Sequence, residues 1–459
     1  MIHPNYKSYR DSAARVVAKE DGYYRYIFNE YKGEYDHFMQ SGLYEELTQK
    51  KLLIEHQEVR IDDSDPKIYK LLYPSQIPFQ SYPFEWSYTQ WRKAILAYLK
   101  INHIALKYGM VLKDATPYNF YLTGGNAVMF DTSSFIFFKK NDSWIAYRQF
   151  CEEFLSPIVL MHYSGSKWSK LTMANLRGMP LNFVSKQLPI KSWFNLTTLL
   201  HIHLHSKYSG KTGSIKIAAT KKNGFTLEKI KSLNTMIFDT ISKWKMAYQF
   251  KNHWEKYYDQ NIESDIYLAH KEKIIEEWLE KTKPKSVVDL GANTGKFSFI
   301  AAKYSPLVIA LEEDDNCVDI IEKQILRKKL ENVYTLAGNL AEPSPSIGLL
   351  NSDIESIYKR GCSEMVLGLA ITHHLHFNNK MSFEQIAGLF DRFSSEYVIV
   401  EFIEKEDSKI QFIIKDKKVE IDHYAIENFK NSIFKIFILI EEIKLKNSKR
   451  ILLLLKKYN

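Results

Sequence analysis

Acidic, amide and glycine residues follow an apolar run in the C-terminal half of the chain. The run SVVDLG contains Asp289, which is followed by Gly291, Asn293 and Gly295 and then by a helix-type segment. Glycines at a strand-to-helix turn let the backbone approach a bulky ligand closely. A dinucleotide site would carry the pattern G-x-G-x-x-G, which this turn lacks. The spacing therefore predicts a cofactor site of another type.

This Asp-x-Gly-x-Asn-x-Gly turn resembles the first motif of class I S-adenosylmethionine-dependent methyltransferases, in the variant with Asn at the middle position. Two later strand ends fit the same resemblance. Glu312 closes the strand in VIALEED, and a carboxylate there can accept hydrogen bonds from both ribose hydroxyls. Asn339 and Leu340 follow the next strand, where the resemblance implies contacts to the adenine. Ligands of parallel sheets bind at strand carboxyl ends, so these positions predict S-adenosylmethionine as cofactor.

Two histidines follow the fourth apolar run, in the segment ITHHLHFNN. His373 and His374 lie where the methyl acceptor is expected, and an imidazole there can take the acceptor proton because its pKa is near neutrality. The alternative is that one of the pair only packs or caps the loop. Glu401, at the end of the fifth run, is a further catalytic candidate for the same pocket; its alternative is a solvated carboxylate.

A second set of polar residues lies in the N-terminal half, in GMVLKDATPYNFYLTGGNAVMFDTSSF. Asp114 precedes Asn119 by five positions, and a short apolar hairpin then leads to Asp131. Carboxylate and amide oxygens are hard donors that suit magnesium bound with nucleotide phosphates. The set therefore raises the hypothesis of a phosphoryl-transfer site with Mg-ATP as an additional cofactor.

The order of connector SYPFEW, long helix, Asp-x4-Asn loop, hairpin and Asp resembles the C-lobe of protein-kinase-like folds. The resemblance implies that Asp114 is the catalytic-loop base and that Asn119 and Asp131 are magnesium ligands. Leu112 stands where kinases carry a histidine, and Thr132 follows Asp131 in place of Phe.

The N-terminus also departs from the kinase pattern, because DGYYRY holds one glycine and no glycine-rich loop is evident. Arg25 and Lys32 are the candidates for the phosphate-pairing cation. These departures favour a kinase-like scaffold over a working kinase.

A zinc site is a further alternative, because HIHLH places histidines at 201, 203 and 205. On a strand these side chains would share one face. The neighbouring residues are typical of a helix end, where positions i and i+2 diverge, and no cysteine or carboxylate cluster accompanies them. We therefore expect no metal there.

Length and composition limit the class of protein. With 459 residues, 45% hydrophobic and 25% charged, the chain is expected to form two or three globular domains. The net charge of +9 is modest and the Lys and Arg residues are dispersed, which argues against nucleic acid as a partner. The three cysteines have no metal-type or disulfide-type spacing. No run has the length of a membrane span, so a cytoplasmic location is predicted.

From Lys285 onward short apolar runs alternate with helical stretches, which predicts a parallel α/β sheet closed by a hairpin. We expect an N-terminal α+β, protein-kinase-like domain at 1–245. A class I, Rossmann-like methyltransferase domain at 246–459 follows, with a mostly parallel sheet whose seven strands are implied by the resemblance. Trp254, Tyr257 and Tyr258 are predicted either to cover the cofactor or to pack between the domains.

Stretches over most of residues 80–410 resemble a bacterial family of nodulation-type class I methyltransferases with a kinase-like N-terminal region. That family carries Asp at the position of Asn339 and Asn at that of Glu342. The resemblance implies O- or N-methylation of a small-molecule or glycan acceptor, with the N-terminal domain aiding acceptor recognition. A bifunctional kinase–methyltransferase is the alternative, and a non-enzymatic scaffold is a third.

Overall fold

The computed structural model describes residues 11–61, 65–139, 144–209, 226–245, 265–417 and 423–458. The chain divides into two compact units, each with its own apolar core. The first comprises Met1–Leu122 and Asn126–Phe250; the second comprises Lys251–Asn459 together with Thr123–Gly125. The domain boundary predicted at 245/246 adjoins residues outside the described ranges.

A four-stranded antiparallel sheet with two helices opens the first unit. Its elements are β1 (Ala14–Lys19), β2 (Gly22–Phe28), α1 (Lys32–Gln40), α2 (Leu43–Gln49), β3 (His56–Val59) and β4 (Ile68–Pro74). The strand order is β1-β2-β4-β3, with every pair antiparallel. Ile27 on β2 and Leu72 on β4 are buried against Tyr35 of α1, so the helices cover one face of this sheet.

A long buried helix, α3 (Tyr88–Ala105), follows the connector. Ser87 begins it with a capping box, because its hydroxyl accepts the Gln90 N–H and the Gln90 side chain accepts the Ser87 N–H at 2.9 Å. Trp91 lies on its buried side. Gly109, with φ of +72°, stops the helical run after a last 3-10 turn. The structure confirms the long helix predicted after the connector.

Two short β-ribbons follow α3. They are β5 (Met110–Leu112) with β8 (Phe135–Phe137), and β6 (Phe120–Thr123) with β7 (Asn126–Met129). Asp114 lies in the loop between β5 and β6, Asn119 directly precedes β6, and Asp131 follows β7. The loops that carry Asp114, Asn119 and Asp131 therefore lie at the ends of these short strands.

The remaining described residues of the first unit are mainly helical. Its α-helices are α4 (Tyr147–Gln149), α5 (Ser156–Ser164), α6 (Leu171–Ala174), α7 (Leu181–Gln187), α8 (Leu196–Thr198), α9 (His205–Ser209) and α10 (Leu227–Lys243). π-helical turns at Phe150–Leu155 and Leu199–Leu204 join α4 to α5 and α8 to α9. Helix α10 lies against α3, where Arg92 Nε donates to the carbonyl of Ile241 at 3.1 Å.

Seven strands form the sheet of the second unit. They are β9 (Val287–Leu290), β10 (Val308–Glu312), β11 (Val333–Ala337), β12 (Ser363–Gly368), β13 (Ser394–Ile403), β14 (Phe437–Lys444) and β15 (Arg450–Lys457). The order is β11-β10-β9-β12-β13-β15-β14. Pairs from β11 to β13 are parallel, and β15 runs antiparallel to both of its neighbours. The predicted mostly parallel, seven-stranded sheet with its closing hairpin is confirmed.

Helices cover both faces of this sheet. They are α11 (Asp265–Thr282), α12 (Lys296–Ala301), α13 (Asp315–Lys328), α14 (Ile357–Arg360), α15 (Thr372–Phe377), α16 (Phe383–Phe393), α17 (Ser408–Lys417) and α18 (Ile426–Ile433). Helices α11, α12 and α13 share a core with one face. On the other face, Phe383 of α16 and Phe429 of α18 pack against Phe402 of β13. Strands β10 and β12 flank β9, so the direction of winding reverses there, at the place where doubly wound sheets bind ligands.

Among the described helices, none combines the length and apolar character that crossing a membrane requires.

Candidate functional site

The turn after β9 has a backbone that few side chains tolerate. Gly291, Asn293 and Gly295 have φ values of +75°, +50° and +83°. A Cβ on Gly291 would lie 2.9 Å from Cδ1 of Ile371, and a Cβ on Gly295 would lie 3.0 Å from Cγ1 of Ile321. Asn is among the few other residues that visit the left-handed region. The predicted motif is therefore a tight, fixed turn.

Glu312 points its carboxylate at this turn from the end of the neighbouring strand β10. Its Oε2 accepts the backbone N–H of Asn293 at 2.7 Å, and its Oε1 accepts the N–H of Asp314 at 2.9 Å. Burial raises the pKa of Glu312 to about 7, against the lowering effect of these backbone donors. A carboxylate has about four acceptor positions, so the oxygens retain capacity for a ligand's hydroxyls.

Asn339 and Leu340 follow β11, the next strand along this edge. The Asn339 amide donates to Oε1 of Glu313 at 3.1 Å, and its oxygen accepts the N–H of Ala341 at 2.7 Å. Leu340 is buried. Since β9, β10 and β11 are parallel neighbours, the loops that follow them lie at one edge of the sheet. The structure thus brings Gly291, Glu312 and Asn339 to the same edge.

Asp289 lies below this edge, within β9. Its side chain is buried, and its Oδ2 accepts a hydrogen bond from the Ser298 hydroxyl at 2.6 Å. Burial raises the pKa of Asp289 to about 6, although Ser298 and the nearby Lys271 act in the opposite direction. Asp289 therefore joins the strand to helix α12, and the contact to Ser298 was not foreseen from the sequence.

His373 and His374 lie in the first turn of helix α15, the helix that follows β12. Their ring centroids are 3.9 Å apart. His373 is buried, and its Nδ1 finds no hydrogen-bond partner within the described part of the chain. Nδ1 of His374, which is partly exposed, lies 3.3 Å from the amide nitrogen of Asn378.

The surroundings of His373 keep its imidazole neutral. Burial holds the pKa of His373 well below its usual range, and the charges of His374, Arg450, Lys409 and Lys271 act in the same direction. A neutral imidazole has one nitrogen free to accept a proton.

Glu401 is fully buried at the end of β13, and protein cations hold its carboxylate. Lys271 Nζ lies 2.5 Å from its Oε2, the Tyr267 hydroxyl donates to Oε1, and Arg450 Nη1 lies 3.6 Å from Oε1. Arg450 also pairs with Asp407, Nε to Oδ2, at 3.0 Å. Burial alone would raise the pKa of Glu401, but Lys271 and Arg450 bring it below its usual value.

Sequence reasoning missed this ion network. Tyr267 and Lys271 are one turn apart on α11, and 130 residues separate Lys271 from Glu401. A cation four residues after an aromatic on a helix is too common a pattern to identify a buried ion pair.

Asp131 in the first unit is buried and surrounded by donors. Its Oδ1 accepts from Arg25, from the Ser133 N–H at 3.0 Å and from the Ser133 hydroxyl at 2.7 Å. Its Oδ2 accepts from the Ser134 hydroxyl at 2.7 Å and from the Asn119 amide at 3.1 Å. Burial would raise the pKa of Asp131, but Arg25 and the serines lower it to about 2.

Asp114 borders a cavity of about 370 Å³, together with Asp11, Ser12, Lys113 and Ile145. Burial and the charge of Asp131 raise the pKa of Asp114 to about 6.

Of the two candidate cations for this region, only Arg25 reaches Asp131. The side chain of Lys32 contacts Asp36 at 2.5 Å and the Tyr69 hydroxyl at 3.1 Å. Arg25 is on β2, 106 residues from Asp131 along the chain. Local sequence spacing therefore could not predict that these two residues pair.

The histidines of HIHLH have separate surroundings. Nδ1 of His201 lies 2.6 Å from the Tyr147 hydroxyl, and the His205 ring stacks on the Tyr147 ring. His203 lies between the hydroxyls of Ser185 and Ser192, at 2.8 Å from each. Within the described ranges, no three His, Cys, Asp or Glu side chains are grouped as a metal site would require. Trp254, Tyr257 and Tyr258 lie outside the described residues.

No protein-family model matches the chain. It is 25% identical over 401 residues to the nodulation protein NoeA of Rhizobium meliloti (strain 1021), and the match covers 84% of each chain. The chain is therefore similar to this relative over most of its length.

Two solved structures resemble part of the chain. The N-methyltransferase NodS from Bradyrhizobium japonicum WM9, in complex with S-adenosyl-L-homocysteine, matches 45% of this chain and 100% of its own at 7% identity and a TM-score of 0.33. Magnesium protoporphyrin IX methyltransferase from Synechocystis PCC 6803, also with S-adenosyl-L-homocysteine bound, matches 42% of this chain and 84% of its own. The identity is 13% and the TM-score is 0.30. These scores are low, and the fold of the second unit rests on its own sheet topology.

Proposed function

We propose that the chain is an S-adenosylmethionine-dependent methyltransferase whose cofactor binds at the turn after β9. The observation that carries this proposal is the meeting of a left-handed glycine turn with the Glu312 carboxylate at the reversal point of a seven-stranded, doubly wound sheet. The sheet order, with one antiparallel strand near its edge, is the order expected for a class I methyltransferase domain.

The residues at this edge fit the cofactor in chemistry. Glu312 has acceptor capacity for the two ribose hydroxyls, and Gly291, which has no Cβ, allows the positive-φ turn to pack closely against Ile371. Leu340 offers an apolar surface and Asn339 a polar contact for the adenine. When bound, S-adenosylmethionine supplies an electrophilic methyl group.

His373 is the proposed proton acceptor for the methyl acceptor's hydroxyl or amine. Its imidazole is neutral, its Nδ1 has no partner within the described residues, and it lies in the first turn of the helix that follows β12. His374, whose ring lies beside that of His373 at an interplanar angle of 41° and is more exposed, is proposed to orient the acceptor. Glu401 is fully paired, so its proposed part in the site is to hold Lys271 and Arg450 in place.

The acceptor is proposed to be a small molecule or a glycan, methylated on oxygen or nitrogen. This proposal rests on the resemblance to nodulation-type methyltransferases and on the similarity to NoeA over 84% of the chain.

The first unit is proposed to have a kinase-like fold that aids acceptor recognition. The order β1-β2-β4-β3 with helices between β2 and β3, followed by α3 and the two ribbons, supports that fold. The bifunctional alternative has less support, because Arg25, Asn119 and two serines already occupy the oxygens of Asp131 that magnesium would need.

Titration calorimetry with S-adenosylmethionine and S-adenosyl-L-homocysteine tests the proposal. Gly291→Arg should abolish binding, because its side chain would enter the turn beside Ile371. Gly388→Arg is the matched control, since a Cβ at Gly388 meets no atom within 4 Å. Circular dichroism checks that both variants fold. Absence of binding by the wild type, or equal binding by both variants, would show the proposal to be wrong.

A further inference from the structure

One long segment of the chain contains no acidic residue. No Asp or Glu occurs from residue 154 to residue 227, although the whole chain carries 54. Within the described part of this segment every Lys and Arg side chain is exposed: Lys167, Lys170, Arg177, Lys186, Lys191 and Lys207. The segment therefore gives the first unit a positively charged surface without internal counter-charges.

Large apolar side chains project from the same segment. Phe194 is 86% exposed, Ile190 is 80% exposed and Leu196 is 57% exposed. Phe183, Trp193 and Leu200 are also exposed. Single exposed apolar residues are ordinary, whereas a group of them within one short stretch marks an interaction surface. We call residues 183–200 the apolar–basic surface.

The inward side of this surface holds polar side chains among apolar ones, since Val184 and Leu188 are buried there as well. Ser192, Thr198 and His203 are buried. His203 is held between the Ser185 and Ser192 hydroxyls, and the Ser192 hydroxyl lies within hydrogen-bond distance of the carbonyl of Pro189 as well. Because these inward groups are hydrogen-bonded, the turn is fixed with its apolar side chains outward.

Aromatic and basic side chains contact one another at the edge of the apolar–basic surface. The Trp193 ring stacks on His203 with centroids 4.0 Å apart, and Lys207 Nζ lies 5.0 Å from the Trp193 ring centroid. Lys191 Nζ lies 5.6 Å from the Tyr163 ring centroid. Amphipathic aromatics beside lysines are the side chains that proteins place at the boundary between lipid headgroups and acyl chains.

We propose that the apolar–basic surface binds the surface of an anionic phospholipid bilayer, with Ile190, Phe194 and Leu196 entering the headgroup–acyl boundary and the lysines contacting lipid phosphates. Exposed aliphatic side chains contribute little to nucleic-acid binding, which favours a lipid partner. A second copy of the chain is disfavoured, because a symmetric contact would bring the exposed Lys186 and Lys191 of two copies close to one another.

Vesicle co-sedimentation with the full chain tests this inference. We expect binding to vesicles of phosphatidylcholine and phosphatidylglycerol in equal parts, weaker binding to phosphatidylcholine alone, and release at high salt. Ile190→Ser with Phe194→Ser should weaken binding about tenfold or more, since the inserted apolar area is lost. Lys186→Ala with Lys191→Ala should weaken it by about fivefold per lysine on the anionic vesicles only.

Phe412→Ser is the matched control, because Phe412 is also highly exposed but lies on α17 in the second unit. Thermal unfolding of each variant checks the fold. Equal binding to both vesicle types, no binding, or equal loss with Phe412→Ser would overturn the inference. Light scattering adds one further outcome: a wild-type dimer that Phe194→Ser converts to a monomer, without vesicle binding, would assign the surface to self-association. None of these results depends on S-adenosylmethionine binding, so the inference and the proposed function fail separately.

Discussion

Glu312 is a buried carboxyl whose ionisation lowers the stability of the folded protein. The folded protein raises the pKa of this carboxyl to about 7, whereas an unfolded glutamate ionises near its ordinary value of 4.5. Between these values the folded state binds more protons than the unfolded state, so stability falls as pH rises through this window. Above about pH 7 the carboxylate is ionised, which is the state that the proposed contact to the ribose hydroxyls requires.

Glu312→Gln should therefore separate stability from binding. At pH 8 we expect the cofactor-free variant to be more stable than the wild type by about 1 to 2 kcal/mol, because a buried charge is removed. S-adenosylmethionine affinity should fall, and the wild-type rise in affinity between pH 6 and 8 should disappear. Calorimetry and thermal melts at several pH values measure both effects. A variant that is less stable at pH 8 and binds normally would contradict this assignment.

His373 gives a different pH signature, because its pKa lies well below 6.5 and the imidazole stays neutral across physiological pH. At saturating S-adenosylmethionine we expect kcat to show no titration by His373 between pH 6.5 and 8. His373→Gln should lower kcat by about 10²- to 10⁴-fold while leaving cofactor binding intact, whereas His374→Gln should have a smaller effect. Cofactor binding lost together with activity in His373→Gln would instead indicate a structural role.

In the second unit, a buried ion pair joins helix α11 to strand β13. Lys271 and Glu401 are both almost inaccessible to solvent, so each charge depends on the other. The second cation, Arg450, is shared with Asp407 and extends the network to β15.

Replacing one partner of the Lys271–Glu401 pair should lower the free energy of unfolding strongly, whereas replacing both should lower it much less. Glu401→Leu alone should lower the free energy of unfolding by about 3 to 5 kcal/mol, because Lys271 is left charged and buried. The double variant with Lys271→Met should recover most of this loss. Lys273→Met is the control, since the Lys273–Glu277 pair is exposed and should contribute less than about 1 kcal/mol. Additive losses in the double variant would contradict the coupling.

A second ion pair, Arg25 with Asp131, fastens β2 to the segment after β7. Mg-ATP should give the wild type no thermal stabilisation, because Asp131 has no oxygen left for the metal. Asp131→Ala should destabilise the protein by about 3 to 5 kcal/mol, whereas Asp239→Ala, at an exposed position of α10, should not. Stabilisation of the wild type by Mg-ATP that Asp131→Asn removes would favour the bifunctional alternative.

At the scale of the whole molecule, two separate cores suggest two unfolding transitions. S-adenosylmethionine should shift only the transition of the second unit, by the linkage of binding to stability. Scanning calorimetry with and without the cofactor measures the shift, and Gly291→Arg should remove it. Equal shifts of both transitions would contradict independent unfolding.

Local patterns in the sequence were enough to predict helix α3, the alternation of strands and helices in the second unit and the turn after β9, but not strands β1 to β4. The parallel α/β alternation and the closing hairpin depend on periodicity or turn chemistry within a few residues, whereas the count of seven strands came from the family resemblance. The partners of Glu401 and Asp131 could not be predicted, because Lys271 and Arg25 are more than a hundred residues away and become neighbours only through the fold.

Strand β14 has a consequence for handling the protein. As the last strand of its sheet it has one backbone edge that no other described strand pairs with, and Ile438, Leu439 and Ile440 are exposed on it. Such an edge is a template on which a partly unfolded chain can add a strand and start an aggregate. The register shift between Leu439 and Glu441 and the charges of Glu442 and Lys444 interrupt that template. We therefore expect Glu442→Val to increase aggregation on heating.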